Sequence, residues 1–334
     1  MFSVIIPLFN KTEHIEKCLQ SVFNQTFQDF EVIVVNDGST DDGEGKVHRI
    51  IKQYAHTLSN NSCHISLINQ PNLGVSSARN NGVKAAKYDF IAFLDADDWW
   101  EPPYLKELNN LINDYPEGAI YSCGYYLVKN GKKLRAQIGI ESDFEMGIIN
   151  YSQVYAKNLC MPIWTGATII RKSVFLSEGG FKLALKLGED FDLWIRIALK
   201  YPVVFLNKTL ANYNQNVNLK TRGVSRNLLD KENYFTFQLT YLEEFEKNDN
   251  NLKKLLDNLR VVSLEHYYIK RKYMAEVNKI IKKVDFSYIP RKIALTYELP
   301  FIISFFRYYL IRIASYLKRF NSMNPNKLKN DLSA

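Results

Sequence analysis

Short apolar runs alternate with helix-period stretches through the first 125 residues, and that alternation leaves few folds open. Runs rich in β-branched and aromatic side chains stand at Ser3–Pro7, Glu31–Val35, His64–Ile68, Asp89–Leu94 and Ala119–Tyr125. Amphipathic stretches lie between them at Glu13–Phe23, Lys46–Leu58, Ser76–Ala86 and Tyr104–Asp114. Strands that are apolar along their whole length have both faces buried, and a helix after each one makes a βαβ unit. The pattern predicts an α/β domain with a mostly parallel sheet, helices on both faces, and ligands outside the carboxyl ends of the strands. Beyond Asn130 the pattern mixes. Lys129-Asn130-Gly131 reads as a hairpin turn, Thr168–Ile170 and Val203–Leu206 as strands, and Glu189–Lys200 as a helix. From Ser225 long helices are expected at Leu228–Lys247, Leu252–Lys272 and Met274–Val284. This divides the chain into an α/β domain over residues 1–222 and a helical C-terminal region over 223–334.

Composition narrows the class. With 334 residues, 46% hydrophobic, the chain can bury a core, so general disorder is excluded. Cys18, Cys63, Cys123 and Cys160 lie far apart with no CxxC pair, which argues against a disulfide scaffold or zinc ribbon and for a reducing compartment. MFSVIIPLFN has no positive leader and its apolar run is broken by Pro7, so a signal peptide is not expected and a cytoplasmic location is. Residues 1–217 carry 21 Lys and Arg against 23 Asp and Glu, whereas residues 218–334 carry 22 against 12. The whole positive excess of +8 therefore comes from the last third of the chain, which suits an anionic surface.

Three loops at strand ends carry the polar chemistry. PLFN follows the first strand with Pro7, Phe9 and Asn10; VVNDGSTDD follows the second with Asp37; FLDADDWWEP follows the fourth with Asp95, Asp97 and Asp98. A buried strand ending directly in several carboxylates is unfavourable unless a cation compensates them. Asp-x-Asp suits a divalent cation with hard oxygen ligands, which in turn would hold phosphate oxygens. The alternative is that Asp97 or Asp98 caps the helix near Pro102.

The strings SVIIPLFN, QTFQDFEVIVVNDGSTDD, NLGVSSARNNGVKAA, FIAFLDADDWW, GGF and GEDFDLWIR occur in order over roughly Met1–Lys200. In this the chain resembles the inverting glycosyltransferases of family 2, of the bacterial surface-polysaccharide type, which have the GT-A fold. The resemblance implies a nucleotide-binding set of Pro7, Phe9, Asn10, Asp37, Gly74, Arg79 and Asp95. Asp37 would accept the N–H of a base, Phe9 and Pro7 would line the base pocket, and Arg79 would hold the nucleotide or pair with a nearby carboxylate. Asp97, with Asp95, would hold Mn²⁺ or Mg²⁺ against the diphosphate. Asp190 would be the general base, with Glu189 supporting it or touching the acceptor. Asp192 would face the opposite side or cap the helix. Trp164 and Gly166 would line the donor-sugar pocket, and Trp194 would either floor the acceptor site or pack in the core. The family's metal-reaching His is missing after Leu210–Tyr213, where this chain reads Tyr213-Asn214-Gln215-Asn216, with Lys220 and Arg222 further on. The implied reaction moves a sugar, from a donor expected to be UDP-linked, to a glycan or lipid-linked glycan.

Two rival readings stand beside this one. A nucleotidyltransferase would need a glycine-rich phosphate loop after the first strand, and PLFNKTEH has none. A non-catalytic nucleotide-sugar-binding assembly subunit would have no use for a general base at Asp190. The segment Leu299–Phe320 places Ser304, Arg307, Arg312, Ser315, Lys318 and Arg319 within one helical arc of about 140°, opposite Ile302, Phe306, Tyr309, Leu310, Ile313, Leu317 and Phe320. Tyr308 and Ile311 fall inside the polar arc. Two mid-segment arginines disfavour spanning a bilayer. A helix lying on the anionic cytoplasmic membrane face is expected, with packing on the catalytic domain or a homodimer partner as the alternative. Nucleic acid is not an expected partner.

Overall fold

The first apolar run sits near the middle of a ten-stranded sheet. Strand β1 (Phe2–Leu8) pairs in parallel with β2 (Phe30–Asp37) on one side and β4 (Phe90–Phe93) on the other, and β2 pairs in parallel with β3 (His64–Gln70). The sheet then continues through β9 (Thr168–Arg171), β6 (Ile120–Lys129), β10 (Val203–Asn214) and β5 (Trp99–Trp100), in the order β3-β2-β1-β4-β9-β6-β10-β5. Strands β9 and β5 run against their neighbours, while β6 and β10 pair in parallel, so the sheet is mostly parallel. The hairpin strand β7 (Lys132–Arg135) pairs with β6, and β8 (Met146–Ile149) with β10. The expected turn at Asn130-Gly131 forms, with positive φ at both residues.

This is a computed structural model describing residues 1–59, 64–216 and 228–323; the boundary expected at 222, with Lys220 and Arg222, lies outside the described residues. Helices α1 (Ile15–Phe23), α2 (Gly43–Ser59), α3 (Val75–Ala85) and α4 (Tyr104–Asp114) follow the sequence expectation closely. Helix α3 lies against β1 and β2 because Gly82 leaves room: a Cβ there would meet Ile5 Cγ2 at 2.4 Å. The segments α5 (Tyr151–Asn158) and α6 (Lys172–Ser177) precede α7 (Glu189–Ala198). The long helix expected over Leu228–Lys247 is absent. A 3-10 stretch at Phe235–Leu242 and a single turn, α8 (Glu243–Glu246), stand there instead.

The chain divides into two compact units, Met1–Leu255 and Leu256–Ala334, with the division inside α9 (Asn250–Ile269). The second unit adds α10 (Met274–Ile281), α11 (Arg291–Glu298) and α12 (Phe301–Met323) around a small core of Val261, Ile289 and Ala294. Its buried Asp257 pairs with Arg260 at 2.9 Å and accepts the Tyr288 hydroxyl at 2.6 Å. Helix α12 is oriented contrary to intuition. Ser304 and Tyr308, on its polar arc, are buried, and Arg307 donates to Thr296 and to the Lys292 carbonyl. The apolar stripe of Ile302, Phe306, Leu310 and Ile313 is exposed, each side chain at least half open. Among the described residues no helix is long and apolar enough to cross a membrane.

Candidate active site

The carboxyl ends of β1, β2 and β4 converge, as the sequence reading expected, where the strand order reverses around β1. Asn10, at φ +52°, ties the first two loops together: its N–H donates to Ser39 Oγ at 3.1 Å, and its Oδ1 accepts the Thr40 N–H at 2.8 Å. Phe9 stands beside it, about a third exposed, and Pro7 is half-buried in β1 opposite Val35. Asp37 is buried at the end of β2. Its carboxylate accepts Gln70 Nε2 at 2.7 Å and the N–H groups of Leu73 and Gly74 at 2.8 and 2.9 Å. The same carboxylate proposed for a base therefore shapes the loop that leads into α3. Gly74, at φ +91°, makes the turn.

Beyond β4 the chain turns sharply, with the Asp98 N–H donating to the Asp95 carbonyl at 2.9 Å. Neither Asp97 nor Asp98 caps α4, whose first turn follows Pro103. Asp98 is buried and faces β10, accepting the Asn214 N–H at 2.7 Å; burial, then the charges of Asp97 and Asp95, push its carboxyl well above the usual range. Asp97 instead faces Lys11, with 2.6 Å between Oδ2 and Nζ. Asp95 accepts Arg79 at 2.8 Å.

Arg79 links two halves of the site. Its buried guanidinium reaches Asp95 from one nitrogen and Glu189, at 3.3 Å, from the other, while lying over the Phe181 ring. Glu189 and Asp190 open α7, positioned by Gly188 at φ +80°. Burial, then the adjacent Asp190, raise the Glu189 carboxyl to about 7, against the pull of Arg79. Asp190 is raised in the same direction by burial, opposed first by the Phe191 N–H that it accepts at 2.7 Å. Of the two expectations for Asp192, it does not cap the helix, whose N-cap is Gly188; it is buried between Lys182, Arg196 and the Tyr241 hydroxyl.

The remaining sequence candidates are placed differently. Trp194 is fully buried, edge-on to Phe181, so it is core and has no surface open to an acceptor. Trp164 is partly exposed and packs between Tyr125 and Tyr213. Gly166 makes room for that indole, since a Cβ would meet Trp164 Cη2 at 2.5 Å, and its carbonyl accepts Trp100 Nε1 at 2.7 Å. The sequence alone does not single out Lys11, Trp100 or Gly188. A lysine directly after PLFN, in a set of otherwise acidic loops, was the available signal for the first.

Residues 3–176 match the family model described as "Glycosyl transferase family 2". The chain belongs to glycosyl transferase family 2. Among curated relatives, glycosyltransferase GlyA of Streptococcus pneumoniae is 30% identical, over 63% of this chain and 30% of its own length. The chain covers only 30% to 44% of the length of the first three such relatives. The fold matches S. aureus TarS solved with UDP-GlcNAc, at 20% identity and TM-score 0.67, covering 85% of this chain and 81% of that one. A mannosyltransferase from Pyrobaculum calidifontis, solved with GDP-Man and Mn²⁺, is 17% identical with TM-score 0.51, over 95% and 79% of the two chains. The architecture is thus GT-A.

For a family 2 chain the question is whether the Asp-x-Asp can take a divalent cation. Among the described residues no three His, Cys, Asp or Glu side chains converge on one point. Asp97 Oδ1 and Asp95 Oδ2 accept no hydrogen bond among the described residues, so each aspartate keeps one hard oxygen available. That donor set fits a cation whose shell is completed by ligand oxygens and water.

Proposed function

We propose that this chain transfers a sugar from a nucleotide-diphosphate donor, UDP-linked, to a hydroxyl of a growing surface glycan, with inversion at the anomeric carbon. The observation that carries the reading is Arg79, whose guanidinium joins Asp95 of the Asp-x-Asp to Glu189 beside Asp190. It couples the diphosphate end of such a site to the acid pair that an acceptor would meet. The UDP-GlcNAc in TarS supports the donor class.

Asp190 takes the acceptor hydroxyl proton while that oxygen bonds to the anomeric carbon and the bond to the diphosphate oxygen breaks. One displacement suffices, so no protein nucleophile is required. Arg79 holds Asp95 and Glu189 at fixed spacing, and Asn10 holds the first two loops around the nucleotide. A divalent cation held by Asp97 and Asp95 would supply Lewis-acid stabilisation of the charge growing on the departing diphosphate. The Mn²⁺ in the Pyrobaculum enzyme is in keeping with this. The exposed stripe of α12, in a unit that carries 15 Lys and Arg against 6 Asp and Glu, supports attachment to an anionic cytoplasmic membrane face and a lipid-linked acceptor.

A panel of UDP-, GDP- and dTDP-sugars, screened for thermal stabilisation and hydrolysis with Mn²⁺ and in EDTA, tests the reading. At least one donor should stabilise the wild type, and Asp97→Ala should abolish turnover while the protein stays folded. Full activity in EDTA, with metal removal verified, would remove the metal from the mechanism. No response to any nucleotide sugar would remove the function.

A further inference from the structure

Lys11 is the one cation placed directly on the Asp-x-Asp among the described residues besides Arg79. Its Nζ lies 2.6 Å from Asp97 Oδ2, with only 12% and 16% of the two side chains exposed. The backbone on both sides of it is held. The Asn10 N–H donates to Ser39 Oγ, the Thr12 N–H donates to Asp41 Oδ2 at 3.0 Å, and the Lys11 carbonyl accepts the His14 and Ile15 N–H groups at the start of α1. The ammonium therefore projects from a fixed base, on a four-carbon stem that can swing. A lone surface lysine would have no such constraint.

An ammonium on Asp97 Oδ2 and a divalent cation on Oδ1 of the same carboxylate repel each other strongly. A metal arriving by itself on Oδ1 weakens the Lys11 pair or drives the ammonium off it, leaving that half-buried charge without a partner. A metal arriving with a diphosphate meets a different balance, because the diphosphate offers the ammonium new oxygens. We infer that Lys11 is the resident counter-cation of Asp97, that it yields this carboxylate to the incoming metal, and that it then pairs with the donor's diphosphate. This rests on the reading of Asp97 as metal ligand. Its consequence is mutual dependence: metal and nucleotide each bind weakly alone and tightly together.

Replacing Lys11 by Met removes the charge and keeps the stem, and it should move two affinities in opposite directions. Without nucleotide, Mn²⁺ binding followed by electron paramagnetic resonance should tighten at least about tenfold in Lys11→Met, which is about 1.4 kcal/mol. In EDTA, UDP binding followed by calorimetry should weaken several-fold. Lys11→Arg, which keeps the charge, should stay near the wild type for Mn²⁺. A merely structural role would weaken both affinities or neither, and either result overturns the inference. Melting midpoints check folding, with Lys11→Gln as the second variant. If the wild type binds Mn²⁺ with UDP present but Lys11→Met gains no affinity for free Mn²⁺, only the role of Lys11 falls. If no variant binds Mn²⁺ even with UDP, the metal reading falls and takes this inference with it.

Discussion

Glu189 and Asp190 are adjacent, half-buried acids at the start of a helix, and their ionisation works against the fold. Glu189 titrates at about 7 in the folded chain against an ordinary value of 4.5, because burial and Asp190 disfavour its charge more than Arg79 favours it. A folded value above the unfolded one means the stabilising contribution is complete below about 4.5 and is lost as pH rises through about 7. Glu189→Gln, which cannot ionise, should therefore melt higher than the wild type at pH 8. That gain should disappear by pH 4.5 in thermal unfolding; equal midpoints at both pH values would show that the carboxylate is not strained. Catalysis separates the two acids. Asp190→Asn keeps shape and hydrogen bonding but removes basicity, so turnover should fall by about 10²–10⁴ while donor binding survives. Near-normal turnover would move the base to Glu189. Both acids are legible in GEDFDLWIR, but which carboxylates Arg79 pairs with is not. Arg79 lies 110 positions from Glu189, and Lys11 lies 86 from Asp97, so no local pattern reports either pair.

Elements were legible where one physical signal dominated. The first four strands and their helices combine continuous apolar runs with amphipathic periods, and both signals agree with burial in the sheet. Residues 228–247 show the opposite case. Their helical period is overridden by aromatic packing, with Phe235 edge-on to Phe191 of α7 and to Tyr234, and the backbone tightens to a 3-10 form. Trp194 misled for a related reason. Four residues after Asp190 it shares a helix face by spacing, yet Phe181 closes over it. The same packing fixes α7. Gly188 has a left-handed backbone, and a Cβ there would meet Phe235 Cδ1 at 2.3 Å. Gly188→Ala should thus lower stability by about 2 kcal/mol or more, from positive φ plus the clash. Because the displaced element carries Glu189 and Asp190, turnover should fall further than stability alone requires. Denaturant unfolding and kcat on the folded fraction would measure the two effects, and an unchanged midpoint would show that the ring yields freely.

At the scale of the whole molecule, the chain joins a near-neutral α/β unit to a basic helical one with an unusual surface. Among the described side chains, the polar arc of α12 is spent on its own unit: Ser304 and Tyr308 are buried, and Arg307 caps backbone and hydroxyl groups of α11. Lys270 and Arg271 flank the helix over the rings of Tyr309 and Phe301. Outward remain Ile302, Phe306, Leu310 and Ile313, at 70%, 62%, 65% and 55% exposure. Covering that much of each side chain is worth roughly 1–2 kcal/mol, and nearby cations add about 1 kcal/mol each over anionic lipid. A second copy would bring the same positive charge to the contact, and lipid phosphate would not. Phe306→Glu with Leu310→Glu should abolish co-sedimentation with phosphatidylglycerol vesicles at low salt. Because both side chains are exposed, the melting midpoint should stay within about 1 °C of the wild type, since surface changes away from packed features shift stability little. Transfer to a short water-soluble acceptor should persist, because the Asp-x-Asp and the acid pair belong to the first unit. If the wild type leaves such vesicles in the supernatant and sediments as a dimer instead, the stripe is an interface between copies, and the membrane reading is wrong.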